Sequence, residues 1–191
     1  MPLTQRFEIA LEMAARIHAA QRRKGGDIPY ICHPLAVAGL VIEAGGDENT
    51  AIAALLHDAV EDQGGLAMLA TIRQTFGDTV AEIVNECSDT YDDPKPPWRP
   101  RKEAYLAKIP SKSAAARLVG AADALHNARS LVADYRDAGE ALWGRFNGGR
   151  DGTLWYYRQL VEAFDGDAAD FLVGELRRTI ESLEQLASPP S

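Results

Sequence analysis

The chain has 191 residues, 46% of them hydrophobic and 25% charged, with a formal net charge of −8. That size suits one domain with a sizeable core, and no apolar run approaches the roughly 18 residues of a membrane span. The acidic balance argues against broad nucleic-acid binding, which needs Lys and Arg to displace counterions, whereas Arg22, Arg23 and Lys24, with Arg99, Arg101 and Lys102, are local clusters sufficient for a small polyanion.

The opening residues lack a basic region followed by an apolar one, so no signal peptide is expected. Cys32 and Cys87 are too few for a disulfide framework and fit a reducing compartment. The expected setting is the cytoplasm. Phe7, Ala10, Leu11, Ala14, Ala15 and Ile17 recur at helical spacing, which predicts a first helix over residues 4–21 that carries His18 and stops at Gly25 and Gly26. Residues 24–34 form a loop rich in Gly and Pro. Pro34 suits the first turn of a second helix running to about Ala44, which places His33 at that helix's start. A His in such a place is ordinarily a capping or surface residue.

Asp47, Glu48 or Asn49 can cap the third element. Residues 51–62 read as one amphipathic helix. At about 100° per residue, Ile52, Leu55, Leu56 and Ala59 share one face, while His57, Asp58, Glu61 and Asp62 share the other. A solvated stripe is the ordinary meaning of such a face, yet imidazole and carboxylate are also ligands for a divalent cation. Helical patterns follow over residues 66–76 and 79–87. Residues 89–98 form a long irregular stretch, and a short helix is expected over residues 101–109.

A long helix is predicted from about Ser113 to Asp137. Asp123 stands in it among Val119, Ala121, Ala122 and Leu125, with Asn127 one turn on. A carboxylate in that company is costly unless paired, hydrogen-bonded or metal-bound. His126 points away from Asp123 and is read as a packing or supporting residue. Residues 140–146 and a loop rich in Gly and Asn follow, two closing helices are expected near residues 153–164 and 168–186, and the tail at 188–191 is expected to be disordered. With no strand pattern, the expectation is a single all-α domain over residues 1–187.

Two imidazoles and two carboxylates, His33, His57, Asp58 and Asp123, can close around one cation if the fold gathers them. The motifs that carry them resemble the HD superfamily of metal-dependent phosphohydrolases, and within it the hydrolase domain of RelA/SpoT homologues. Gln21-Arg22-Arg23-Lys24 with Pro29-Tyr30-Ile31 and His33-Pro34 is similar to the first motif. Residues 54–62, Ala-Leu-Leu-His-Asp-Ala-Val-Glu-Asp, match the group's signature, and residues 122–129, Ala-Asp-Ala-Leu-His-Asn-Ala-Arg, resemble the third. Ala124 departs from the Arg usual there in the bifunctional enzymes.

The resemblance implies a compact HD-domain helical bundle of about 8–10 helices. It implies one divalent cation, Mn²⁺, on His33, His57, Asp58 and Asp123, with Glu61 and Asp62 orienting or deprotonating the attacking water. Arg23, Lys24, Arg101 and Lys102 are the expected phosphate cations, and Asn127 a ribose or phosphate contact. The implied activity is that of a small alarmone hydrolase, a 3′-pyrophosphohydrolase of (p)ppGpp and also of (p)ppApp, with base preference open. With no synthetase domain expected after Ser191, the chain should degrade the nucleotide and not make it. Two alternatives stay open: a phosphohydrolase for another nucleotide, such as the 2′-phosphate of NADPH, and a non-catalytic alarmone-binding or antitoxin-like module. No nucleic-acid or membrane partner is expected, and oligomeric state is not legible.

Overall fold

A computed structural model describes residues 2–90, 94, 96–166 and 170–188, and the side chain of Asp62 lies outside that description. Among the described residues the α-helices are α1 (Gln5–Ile17), α2 (Cys32–Glu43), α3 (Glu48–Leu56), α4 (Ala59–Gln63), α5 (Gly65–Phe76), α6 (Asp78–Cys87), α7 (Trp98–Lys108), α8 (Ala114–Ala138), α9 (Gly149–Phe164) and α10 (Asp170–Leu186). Short 3-10 turns span Ile109–Ser111 and Gly139–Arg145. The β-type pairing among these residues is one isolated antiparallel bridge between Arg22 and Pro29. The all-α architecture expected from the sequence is the observed one, and among the described residues no helix is long and apolar enough to cross a membrane.

Helix α3 is the centre of the molecule. Asp47 starts it, its side chain accepting from the Thr50 backbone N–H at 2.8 Å and so satisfying one of the orphan donors of a helix start. Every residue from Thr50 to His57 is buried, because α1, α2, α6 and α8 pack around the helix. The expected division of residues 51–62 into a core face and a polar face is therefore corrected. Alanine at 51, 53 and 54 lets neighbouring helices approach from all sides, and a helix enclosed on all sides has no solvent face.

The same segment is not one helix. It breaks between Leu56 and Ala59, with Asp58 at φ −92°, ψ −9° as the N-cap of α4. The ionisable residues thus sit at and beyond a turn, where His57 and Asp58 leave the helical ladder and face one point.

Other boundaries move for local reasons. Helix α1 ends at Ile17 with His18 as its C-cap, since the chain turns there toward the bridge at Arg22. Helix α7 begins at Trp98, ahead of the expected Arg101. Pro100 falls in its first turn, where a missing N–H costs nothing. Ser113 caps α8 by accepting from the Ala116 N–H at 3.2 Å. The main core joins α1, α2, α3, α4, α5, α6, α8, α9 and α10, and a smaller cluster around Leu131, Leu142, Trp143, Leu154 and Leu183 fixes the far end of α8. The expected tail at 188–191 falls, except for Ser188, outside the described residues, as do positions 91–93 and 95 of the irregular stretch.

Candidate metal centre

Three elements bring the expected donors together. His33 is the second residue of α2 and is buried. It is placed there by the Arg22–Pro29 bridge, through hydrogen bonds from the Arg23 N–H to the Ile28 carbonyl and from the Tyr30 N–H to the Gln21 carbonyl, each 2.9 Å. His57 and Asp58 occupy the turn between α3 and α4, and Asp123 sits mid-way along α8. His33, His57 and Asp58 each offer a ligand atom within 4.8 Å of the others. Asp123 joins them through the imidazoles, its Oδ1 lying 3.1 Å from His33 Nε2 and 3.8 Å from His57 Nε2.

Surrounding side chains fix the orientation of these donors. His57 Nδ1 meets the Ala54 carbonyl at 2.8 Å, so it carries the proton and Nε2 is left to face the site. His33 Nδ1 lies 2.8 Å from His126 Nδ1. Burial, the neighbouring His33 and Arg23 hold the His126 imidazole down to about 4, which suits a neutral acceptor and makes His33 Nδ1 the donor. Tyr30 donates its hydroxyl to Asp58 Oδ2 at 2.6 Å, and Asn127 donates its amide to Asp123 Oδ1 at 2.6 Å.

The electrostatics are those of a cation site. Burial disfavours a charged His57, but the Asp58 and Asp123 carboxylates prevail and raise it well above its usual range. Burial likewise opposes ionised Asp58 and Asp123, and the imidazoles overcome it, holding both carboxyls below the usual carboxylate range. Positive charge at this point is thus favoured. Among the described residues His57 Nε2 is buried without a hydrogen-bond partner, although Asp58 Oδ2 stands 3.0 Å away. A buried ring nitrogen aimed at two carboxylates in this way, in a set of two nitrogens and two oxygens, fits a divalent cation.

A cavity of about 590 Å³ opens beside the donors, and Arg23, Lys24, Tyr30, Lys102, Asp123 and Asn127 are among its lining. Arg23 reaches Asn127 Oδ1 at 2.8 Å, and Lys24 stands 5.4 Å from the Phe146 ring centroid. Of the four expected cations, Arg101 does not line the cavity. It pairs instead with Asp89, as Lys102 does at 2.9 Å. Glu61 Oε2 accepts from the Asp89 backbone N–H at 3.3 Å, and Asp62 lies outside the residues whose side chains are described.

Sequence reasoning missed the grip of Tyr30 on Asp58 and the placing of Asp89. The signal for Tyr30 was its position three residues before His33, on the loop that the bridge folds back. For Asp89 the sequence offered none, since its partners are 12, 13 and 28 residues away.

The family model described as HD domain matches residues 10–154. The chain is 42% identical over 125 residues to the guanosine-3′,5′-bis(diphosphate) 3′-pyrophosphohydrolase MESH1 of Xenopus tropicalis, covering 64% of this chain and 67% of that protein. It is 48% identical over 82 residues to the GTP pyrophosphokinase of Streptomyces coelicolor, covering 42% of this chain. The matches span only 9% of the length of the Streptomyces coelicolor and Mycobacterium leprae relatives. A solved structure of a metazoan ortholog of SpoT, which hydrolyzes ppGpp and plays a role in starvation responses, superposes with a TM-score of 0.79 at 28% identity. That superposition covers 95% of this chain and 97% of the other.

Proposed function

The chain belongs to the HD domain family, and we propose that it is a 3′-pyrophosphohydrolase of alarmone nucleotides, acting on (p)ppGpp and also on (p)ppApp. The observation that carries this reading is the set His33, His57, Asp58 and Asp123 beside a cavity lined by Arg23, Lys24 and Lys102. Donors for one cation stand next to cations for a polyphosphate. The activities named for the Xenopus tropicalis MESH1 and for the metazoan SpoT ortholog support the same assignment.

His33, His57, Asp58 and Asp123 would hold the cation, which we assign as Mn²⁺ from its preference for mixed nitrogen and oxygen donors. When bound, it supplies Lewis-acid chemistry, acidifying water and offsetting phosphoryl charge. The chain's own groups do the rest. Arg23, Lys24 and Lys102 bind the phosphates, and Asn127, held between Arg23 and Asp123, orients the ribose end. Glu61, assisted by Asp62, takes a proton from the attacking water.

The water oxygen bonds to the phosphorus next to the ribose 3′ oxygen, and that P–O bond breaks. The 3′ oxygen gains a proton as pyrophosphate leaves. Tyr30 and His126 keep the donors Asp58 and His33 in place throughout. The free thiols Cys32 and Cys87 suit a reducing compartment, which supports a cytoplasmic setting.

Incubating Mn²⁺-loaded protein in parallel with ppGpp, ppApp and NADPH tests the assignment by the leaving group. Pyrophosphate from the alarmones is expected. Orthophosphate from NADPH alone would select the nucleotide-phosphatase reading, and binding of ppGpp without turnover would select the binding module.

A further inference from the structure

Asp89 joins two parts of the site that no single element connects. It lies just beyond α6, with its side chain only 6% exposed. Its backbone N–H donates to Glu61 Oε2 at 3.3 Å, and its Oδ2 accepts from Lys102 at 2.9 Å and from Arg101. Oδ1 is buried and has no hydrogen-bond partner among the described residues. The charge of the carboxylate is therefore met by the two cations of α7, and a buried carboxylate without them would be costly. Of the two cations it is Lys102 that lines the cavity, so its charge faces a bound anion.

Helix α7 has no fully buried residue; Tyr105 and Leu106 pack partly buried against the core, and the ties to Asp89 add a polar anchor beside the cavity. Lys102 also stands beside two aromatic rings, its Nζ 4.9 Å from the Tyr156 ring centroid and 5.7 Å from that of Tyr105. Those contacts hold an ammonium near the wall without setting its direction, and the Asp89 carboxylate sets it.

We propose that Asp89 is a positioning residue which clamps Lys102 against the cavity for a substrate phosphate and, through its own backbone N–H, holds the Glu61 carboxylate in line with the donors. The two effects are linked. Release of the α7 cations frees the Asp89 loop, and the hydrogen bond to Glu61 loosens with it.

The proposal rests on the hydrolase reading and is tested by double-mutant cycles on the Mn²⁺-loaded enzyme with ppGpp. Asp89→Asn should raise KM about tenfold, the scale of one hydrogen bond to a charged group, and lower kcat several-fold. In a Lys102→Met background the KM effect should vanish, and in a Glu61→Gln background the kcat effect should vanish. A merely structural role would multiply losses in both backgrounds, and that result, or wild-type KM and kcat in folded Asp89→Asn, overturns the proposal.

If Asp89→Asn does not fold, Asp89→Ser carries the same cycles. If the wild type does not turn over ppGpp, the hydrolase reading fails separately, and calorimetric titration with inorganic pyrophosphate takes over. Binding weakened by Asp89→Asn only when Lys102 is present supports the clamp, and equal weakening in its absence overturns it.

Discussion

Four side chains divide the work at the centre, and their environments differ enough to be told apart by substitution. Asp58 faces both imidazoles, with Oδ2 3.0 Å from His57 Nε2 and 3.4 Å from His33 Nε2. Asp58→Ala should abolish stoichiometric Mn²⁺ binding and activity together, read by metal analysis after gel filtration. Retained metal in that variant would contradict the ligand assignment. Glu61 touches the Asp89 backbone and is not among the mutually close donors. Glu61→Gln should therefore keep the metal and lower kcat by about 10²–10⁴-fold, the usual contribution of a general base. The grouping of His33, His57 and Asp58, with Asp123 against both imidazoles, was legible in the sequence because residue types and motif spacing are chemical statements. Tyr30 offered only its place three residues before His33, and Asp89 nothing, since an Asp does not announce a partner that tertiary packing supplies.

At the scale of elements, the turn between α3 and α4 and the seat of α7 decide the geometry. The first was hidden from the sequence because residues 51–62 contain no Gly or Pro, and their helical periodicity runs through the break. The burial of α3 on every side was hidden too, since an Ala-rich stretch reads equally as an exposed helix or as one crowded by neighbours. Helix α7 is seated by Trp98, whose ring lies over the glycines that begin α9. A Cβ at Gly148 would fall 2.7 Å from the ring and one at Gly152 3.2 Å from it. Gly148→Ala should therefore displace Trp98 and shift Lys102, raising KM several-fold with a smaller change in kcat, while overpacking costs about 1–3 kcal/mol of stability. Unchanged tryptophan emission and unchanged KM would contradict this seat.

For the molecule as a whole, alkaline pH is the expected weakness. Burial pushes the Cys87 thiol up from 9.0 to about 12, and burial also raises Tyr105, Tyr156 and Tyr157. Each folded value lies above its unfolded one, so the stabilising difference is complete below the unfolded value and is lost as pH rises toward the folded one. Lys112 works the other way, since burial lowers it and stability returns as its proton leaves. With these four groups, and Tyr135 raised by its hydrogen bond to Glu140, against one, the melting temperature should fall from about pH 9 upward. All four groups keep some exposure, so the slope per group stays below the full value of about 1.4 kcal/mol per pH unit. A flat melting temperature to pH 10.5 would refute that balance.

The all-α class and most helices were legible at this scale because amphipathic spacing and Gly, Pro and Asp punctuation recur along the chain. The cavity was not, because its lining runs from Arg23 to Leu160 and exists only once α2, α7, α8 and α9 have packed. The central claim is hydrolysis at the phosphorus next to the ribose 3′ oxygen. It is tested most directly by turnover of ppGpp in ¹⁸O-labelled water, with mass analysis of both products. The predicted result is one solvent oxygen in pyrophosphate and none in GDP. Label in GDP, label in released orthophosphate, or no cleavage by the Mn²⁺-loaded protein would contradict it.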